Sequence, residues 1–535
     1  MSGAWLVTSG AYVEQELSVE FGSLPPSFLP VGNKRLYEYQ FESIGAARPI
    51  YLTLPESYVI PENDRLRLAE LDITVLGLPD GLSLGESIVF ALNLIAGPDQ
   101  PIRILHGDTL VQDLSADGLD EAGIAPGRDA YSWAEVQLDG AHITGIETVI
   151  AGAPKERGAP VLCGYFAFAH SAGLVRAITR ARGSFTKGVM TYAHDNPLSA
   201  VPISGWYDFG HLQTYFRSRR VVVTARAFNS LIIDELVARK SSSDGAKMQA
   251  EANWIAAVPP KLRAYTARLI DQGTDNGTEY YETEYEYLPT LSELFVFGAL
   301  GRNAWHKITQ SCHEFLEACT ASTGPGCADD ALRALVVTKT IARLQKFAGD
   351  SGFNIDAMLR YEGRPLPSLM QIAADLEAHI DLASQRPQTV MHGDFCFSNI
   401  LFDARVQRIR VIDPRGYVEP GQPAIYGDIR YDLAKLAHSV LGRYDQIIAG
   451  RYAMPAQDGH HFSIEFEPAP HHAWLADAMQ EFSVDGIKIS SPTIRAVTVS
   501  LFLSMLPLHA DRPDRQRAYI ANALRLYAAL ESVSA

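Results

Sequence analysis

The sequence predicts an α/β protein in two parts. A mostly parallel sheet with helices on both faces comes first, and a small β-rich lobe leading into a helical lobe follows. Three observations carry this expectation. The chain has 535 residues, more than one hydrophobic core accommodates, so about two to four domains are expected. Over residues 1–220, short apolar runs alternate with helical patterns, the βαβ rhythm of an α/β sheet. From about residue 221 the pattern becomes β-branched with tight turns, and after about residue 298 it is mostly helical.

Taken in order, "AWLVTSG" reads as a strand, "KRLYEYQFESIGA" as a helix and "RPIYLTLP" as a strand. "ESIVFALNLIAG" then reads as a helix and "PIRILHGD" as a strand. Ligands of such a sheet belong at the carboxyl ends of its strands. Further on, "RVVVTARAFNSLIIDELVARKSSSDG" predicts antiparallel hairpins. "AKMQAEANWIAAV" predicts a helix and "TEYYETEYEYL" an alternating strand.

Composition narrows the function classes. With 47% hydrophobic and 20% charged residues, the chain has the make-up of a soluble globular protein. A net charge of −16 offers no basic surplus to neutralise a nucleic-acid backbone, although nucleotides arriving with magnesium remain compatible. The five cysteines, Cys163, Cys312, Cys319, Cys327 and Cys396, lack disulfide or zinc spacing and read as reduced thiols. "MSGAWLVTSGAYVEQ" has no basic region before a long apolar core, and "AVTVSLFLSMLPL" is too short to span a bilayer. A cytoplasmic protein without a membrane span is expected.

The chemistry is densest in "TVMHGDFCFSNILFD", followed by "VIDPRG". Phosphoryl transfer needs carboxylates that hold magnesium, a cation on the phosphates and a group that orients the attacking hydroxyl. Asp394 is placed as the base or orienting carboxylate, Asn399 as a metal ligand, and Asp413, closing a strand, as the second ligand. The plainer reading is an Asx-rich turn between strands, with His392 and Asp413 buried. The pattern H-G-D-x-x-x-x-N followed by I-D resembles the aminoglycoside phosphotransferase and choline kinase superfamily, a branch of the protein-kinase fold. That resemblance implies ATP as phosphoryl donor and Mg2+ as cofactor. It also implies a kinase-like N-lobe at 221–298 and a helical C-lobe at 299–535.

The upstream lobe fits the same resemblance. Lys240 in "LVARKSSS" stands for the phosphate-contacting lysine and Glu251 in "KMQAEANWI" for its ion-pair partner, with Arg239 and Lys247 as weaker competitors. No Gly-rich phosphate loop is present, so Asn229 and Ser230 in "AFNSLIIDEL" are expected to cover the phosphates. "YEYLP", with Tyr285 and Tyr287, resembles the hinge that holds adenine. Asp428 and Asp432 in "GDIRYDLAKLAHS" are expected to brace the catalytic loop. Arg415 is placed either for substrate or phosphate contact or for a salt bridge. His509 and Asp511 lie where acceptor pockets occur in such kinases but name no acceptor. The two histidine pairs of "GHHFSIEFEPAPHHAW" read as surface residues.

Residues 5 to about 218 resemble the sugar-phosphate nucleotidyltransferases, on the order of several segments. "LPPSFLPVGNKRLYEYQFESI" resembles the strand and helix after the phosphate loop. "GLSLGESIVFALNLI", with Gly85, resembles the base-binding turn. "PIRILHGDTLV" ends in Asp108 and "GWYDFGHLQTYFRSR" supplies Asp208, the implied metal pair. "CGYFAFAHS" matches the strand on the product side. The resemblance implies a Rossmann-like nucleotidyltransferase domain at 1–220 that uses a second NTP (CTP, UTP or GTP). Two cations of that family are absent, since Glu14 lies near the arginine position and Pro26 occupies the lysine position. Lys34 and Arg35 are the nearby candidates to replace them.

Together these readings imply a bifunctional enzyme. Its kinase would phosphorylate a sugar, polyol or amino alcohol, and its first domain would activate that phosphate with a nucleotide, for surface polysaccharide or capsule. Two alternatives concern the first domain: a non-catalytic binder of a nucleotide-sugar, or a glycosyltransferase-like domain using Asp108.

Overall fold

"AWLVT" (Ala4–Thr8) is buried on both faces, and its alternation sets the architecture around it. Ala4 and Leu6 point into one core and Trp5 and Val7 into another, as the period of two requires of a strand with both faces covered. In the computed structural model the chain divides into two units, Met1–Val222 and Val223–Ala535. All residues are described except 1–2, 48, 96–98, 113, 115–117, 128–132, 150–157, 225–230, 456–458 and 535.

The first unit is built on a nine-stranded sheet among the described residues. Its order is Ile73–Leu78, Ile50–Pro55, Ala4–Thr8, Ile102–His106, Pro160–Phe168, Glu121–Pro126, Ser199–Pro202, His142–Val149 and Trp133–Asp139. The first four of these are parallel, with Leu6 opposite Tyr51 on one side and Ile104 on the other. One core contains Tyr37, Phe41 and Ile44 of helix Leu36–Ile44, with Leu68 of Glu62–Glu70. The opposite core contains Ile88 and Ala91 of Leu84–Leu94, with Leu174 and Ile178 of Ser171–Arg180. The chain moves outward from Ala4–Thr8 in one direction and then returns to its other side, which makes the carboxyl ends of Ala4–Thr8 and Ile102–His106 the topological switch point where ligands of such sheets bind.

The second unit begins with an antiparallel sheet ordered Leu231–Ile233, Val237–Ser242, Thr278–Glu284 and Leu269–Asp275. Helix Gly245–Ala257 packs on it through Met248 and Ala252 against Tyr281. The rest is mainly helical around Pro492–Met505, in which Ile494 and every residue from Ala496 to Ser504 are buried. The long apolar run at this point is therefore a helix enclosed on all sides by protein.

Two expectations need correction. "RVVVT" is not part of a hairpin but the end of helix Leu212–Thr224. Tyr215, Phe216 and Val222 bury one side of that helix, and this packing overrides the β-branched preference. Of the histidine pairs, His460 and His461 are exposed, but His471 and His472 are buried and both place Nε2 on the Phe295 carbonyl, at 2.8 and 2.9 Å. The five cysteines are unpaired, as expected.

Candidate functional site

In the second unit, a hairpin positions the two expected metal ligands. Strands Ile400–Asp403 and Arg408–Val411 pair antiparallel with Ile400 opposite Val411, and Ile412 N–H donates to the Asn399 carbonyl at 3.0 Å. Asn399 and Asp413 thus lie at the same open end. Asn399 Nδ2 donates to the Asp394 carbonyl and to Asp394 Oδ2, each at 3.0 Å, which turns its amide oxygen away from Asp394. Asp413 takes a left-handed backbone, φ 54°, and its carboxylate is 44% exposed. Hard oxygens from one amide and one carboxylate suit magnesium, which keeps few protein ligands and shares phosphate oxygens.

Lys240 reaches the same carboxylate. Its Nζ lies 2.8 Å from Glu251 Oε2 and 3.1 Å from Asp413 Oδ1. Burial alone would lower the Lys240 pKa, but Asp413 and Glu251 raise it, so the ammonium stays charged. Lys247 is a secondary partner of Glu251 at 3.8 Å. Arg239 is committed elsewhere, to Asp275 and Glu282 and over the Tyr280 ring. The Glu251 helix rests directly on the loop that leads into His392 and Asp394. Trp254 Nε1 donates to the Met391 carbonyl at 2.7 Å, and a Cβ on Gly416 would come 2.2 Å from the Ala250 carbonyl oxygen.

The loop itself is braced from helix Ile429–Val440. Asp432 accepts the N–H groups of His392 and Gly393, both at 2.7 Å. Asp428 instead pairs with Arg430, which also binds Asp329. His392 is fully buried, and burial drops its pKa to about 4, so its neutral Nδ1 accepts the Asp394 N–H at 3.3 Å. The sequence reading missed Lys435, whose Nζ lies 2.7 Å from Asp394 Oδ1. Burial would raise the Asp394 carboxyl, but Lys435 holds it well below the usual range. A signal existed, because Lys435 is three residues beyond Asp432 and hence on the same helical face.

Residues 216–462 match the family model of the phosphotransferase enzyme family. Most of the second unit is therefore similar to that family. The chain is also similar to a nucleoside-diphosphate-sugar pyrophosphorylase from Vibrio cholerae RC9, at 12% identity and TM-score 0.33, covering 41% of this chain and 99% of that one. It is similar to the UTP-bound UGPase of Acinetobacter baumannii at 14% identity and TM-score 0.34, covering 43% and 95%. A thermostable mutant of aminoglycoside phosphotransferase APH(4)-Ia, in its apo form, aligns at 14% identity and TM-score 0.32, covering 55% and 86%. No curated protein matches the chain.

The remaining kinase-side expectations divide. Asn229 and Ser230 lie outside the described residues. Tyr285 and Tyr287 follow strand Thr278–Glu284; Tyr285 N–H donates to the Leu236 carbonyl at 2.8 Å and Tyr287 OH to the Glu235 carbonyl at 2.7 Å. His509 is half-buried and contacts Tyr519 and Arg515.

In the first unit, Asp108 and Asp208 do converge. Strands Thr109–Val111 and Trp206–Asp208 pair with Thr109 opposite Asp208, and Phe209 N–H donates to the Asp108 carbonyl at 2.8 Å. A Cβ on Gly210 would lie 2.7 Å from Asp108 Oδ2 and 3.4 Å from Asp208 Oδ1, so both carboxylates border one glycine. Buried Gln40 clamps the approach by donating to the carbonyls of His106, Gly107 and Thr109. Thr214 Oγ1 donates to Asp208. Such a pair of carboxylates is tolerated when a cation lies between them.

The expected replacement cations are not found on this pair. Arg35 is 4% exposed and its Nε lies 3.3 Å from Asp64 Oδ2, a carboxylate with 0% exposure. It also donates to the Phe28 carbonyl at 2.8 Å. A guanidinium taken out of water needs that carboxylate, and this explains its position. Lys34 lies 4.0 Å from Glu42 and over the Tyr39 ring. Glu14 precedes helix Gln15–Phe21, and Pro26 opens the short turn Pro26–Phe28. Gly85 sits in the first turn of Leu84–Leu94, where a Cβ would come 2.2 Å from the Gly183 carbonyl oxygen. Helix–loop packing is what demands this glycine.

Proposed function

We propose that residues 221–298 and 299–535 form the two lobes of a small-molecule kinase that moves the γ-phosphoryl group of ATP to an alcohol. Its acceptor is a sugar, polyol or amino alcohol. The observation that carries this reading is Lys240 held between Glu251 and Asp413, with Asn399 at the same end of the hairpin as Asp413 and bonded to Asp394. Lys240 holds donor phosphate oxygens, and the loop before Leu291–Val296, with Tyr285 and Tyr287, receives the adenine. Asp394 orients the acceptor hydroxyl and takes its proton as the oxygen–phosphorus bond forms and ADP leaves. Magnesium bound by Asn399 and Asp413 would neutralise charge on the transferred phosphate.

Residues 1–220 then act as a nucleotidyltransferase in this proposal. The new phosphate monoester attacks the α-phosphorus of CTP, UTP or GTP, and pyrophosphate leaves. Asp108 and Asp208 would hold the metal ion. The product is a nucleotide-activated precursor for surface polysaccharide, made in the cytoplasm.

The test is the full-length protein with Mg–ATP and a panel of small alcohols, read as ADP release, followed by pyrophosphate release with each NTP. Asp108→Asn is expected to abolish pyrophosphate release and leave ADP release intact. A second reading is favoured by the commitment of Arg35 to Asp64: the first unit binds a nucleotide-sugar without turning it over. Nucleotide binding without pyrophosphate release, with every phosphorylated panel member, selects that reading.

A further inference from the structure

Next to the catalytic loop, the helical lobe gathers more positive charge than phosphoryl transfer from ATP accounts for. Lys339 opens helix Lys339–Ser351 directly after a π-helical turn, Ala334–Thr338, a local widening frequent at functional sites. Its Nζ lies 2.9 Å from the Tyr431 hydroxyl. Arg343, one turn along the same face, donates to the Ser504 carbonyl at 2.9 Å. Arg415 N–H donates to the His392 carbonyl at 2.8 Å, and a Cβ on Gly393 would sit 2.6 Å from Arg415 Cβ. Arg415 therefore lies against the residue before Asp394. Its guanidinium covers the Tyr417 ring, 4.5 Å from the centroid.

The cluster is not balanced by acids. Lys435 is matched by Asp394, and Asp432 is occupied by two backbone N–H groups. Among the described residues, no carboxylate forms an ion pair with Lys339, Arg343 or Arg415, although all three are half-buried. Burial lowers the Lys339 pKa to about 8. Burial would raise the Tyr431 phenol, but the charges of Lys339, Lys435 and Arg415 outweigh it and bring its pKa down to about 8. Partly desolvated cations without counter-ions are costly, and an anion supplied from solution removes that cost.

We propose that Lys339, Arg343 and Arg415 bind an anionic group of the acceptor, a carboxylate or a phosphate, so that the kinase acts on hydroxy acids or phosphorylated polyols. The inference rests on the kinase reading and narrows its acceptor. Lys240 and Asp413 serve the nucleotide, whereas the cluster lies with the catalytic loop and the helices Lys339–Ser351 and Ile429–Val440. An acceptor anchored there by its anion can offer a hydroxyl to Asp394.

Calorimetry on the full-length protein tests this. Mg–AMPPNP is added first, and its failure to bind would overturn the kinase reading itself. With nucleotide saturating, inorganic phosphate, D-glycerate and glycerol are titrated separately. The two anions are expected to bind and glycerol not. Lys339→Met and Arg343→Met should each weaken the anion at least tenfold. Arg343→Lys, which keeps the charge, should stay within threefold. The tighter anion separates phosphorylated from carboxylated acceptors. Absence of anion binding in the wild-type complex overturns the proposal. So does binding indifferent to both methionine variants, or displacement of AMPPNP by phosphate, which would assign the cations to the nucleotide.

Discussion

Lys240 and Arg35 occupy comparable places in the two units, each a cation expected near a phosphate, and their surroundings differ in kind. Lys240 keeps 23% of its side chain exposed and shares Asp413, itself 44% exposed, so one side of the arrangement stays open to a ligand. Arg35 and Asp64 are closed to solvent and complete each other. A cation that serves a ligand is held at the edge of water by acids that a metal or phosphate can claim. One that serves the fold has its partner already inside. Proximity in sequence to a phosphate loop does not distinguish the two; a second, exposed acid does, since Lys240 has Asp413 beside its buried partner Glu251.

The largest effects should fall on the open site. Asp394→Ala and Asp413→Ala are each expected to reduce ATP-dependent phosphorylation by about 10²–10⁴-fold, the range for a positioned acid–base group, with the circular dichroism melt preserved. Full activity in either variant would remove the kinase assignment. Arg35→Met should act on stability instead. Leaving buried Asp64 without its ionic partner costs about 3–5 kcal/mol, so the first unit should melt earlier while ADP release from the folded protein is unchanged. An unchanged melt with selective loss of pyrophosphate release would return Arg35 to catalysis. Lys240→Ala should be milder. Loss of one charged hydrogen bond to phosphate, about 1.5–3 kcal/mol, predicts roughly 10–100-fold weaker use of ATP, read as KM.

The same contrast explains what was legible in the sequence. The sheet of the first unit could be read from "AWLVT", "IYLTLP" and "IRILH", because strands buried on both faces are continuous apolar runs. That Asp394, Asn399 and Asp413 come together could be read because a tight loop and a hairpin fix them by short-range spacing. Lys435 was missed despite its place on the face of Asp432, since its meeting with Asp394 depends on a helix that packs back from 41 residues later. Arg35 was misassigned for the same reason: Asp64, its partner, belongs to another helix. "RVVVT" was misread because its helical state is decided by burial of Tyr215, Phe216 and Val222. His471 and His472 sit in a polar stretch whose burial against Phe295 no local pattern reveals.

The smallest expected effect separates the units by their response to acid. In the second unit, burial lowers the pKa of His392 and His471 to about 4 and of His472 to about 3. An imidazole with an ordinary pKa near 6.5 when unfolded then takes up protons on unfolding between pH 6.5 and 4. The unfolded state binds more protons there, so stability falls as pH falls through that window. Two buried carboxyls oppose this. Burial raises Asp432 to about 7 and Asp445 to about 6, and such groups favour the folded state as pH drops. His509 is likewise lowered to about 4 and buried His438 is lowered as well, so the imidazoles are expected to outweigh the carboxyls and the second unit to lose stability between pH 6.5 and 4.5. In the first unit burial lowers the pKa of His106. The second unit should therefore be the first to melt on acidification, and His472→Gln should flatten its pH dependence. Scanning calorimetry of the full-length protein at pH 7 and 4.5 reads both. If the first unit melted earlier at pH 4.5, the buried imidazoles of the second would not be the groups that set acid stability.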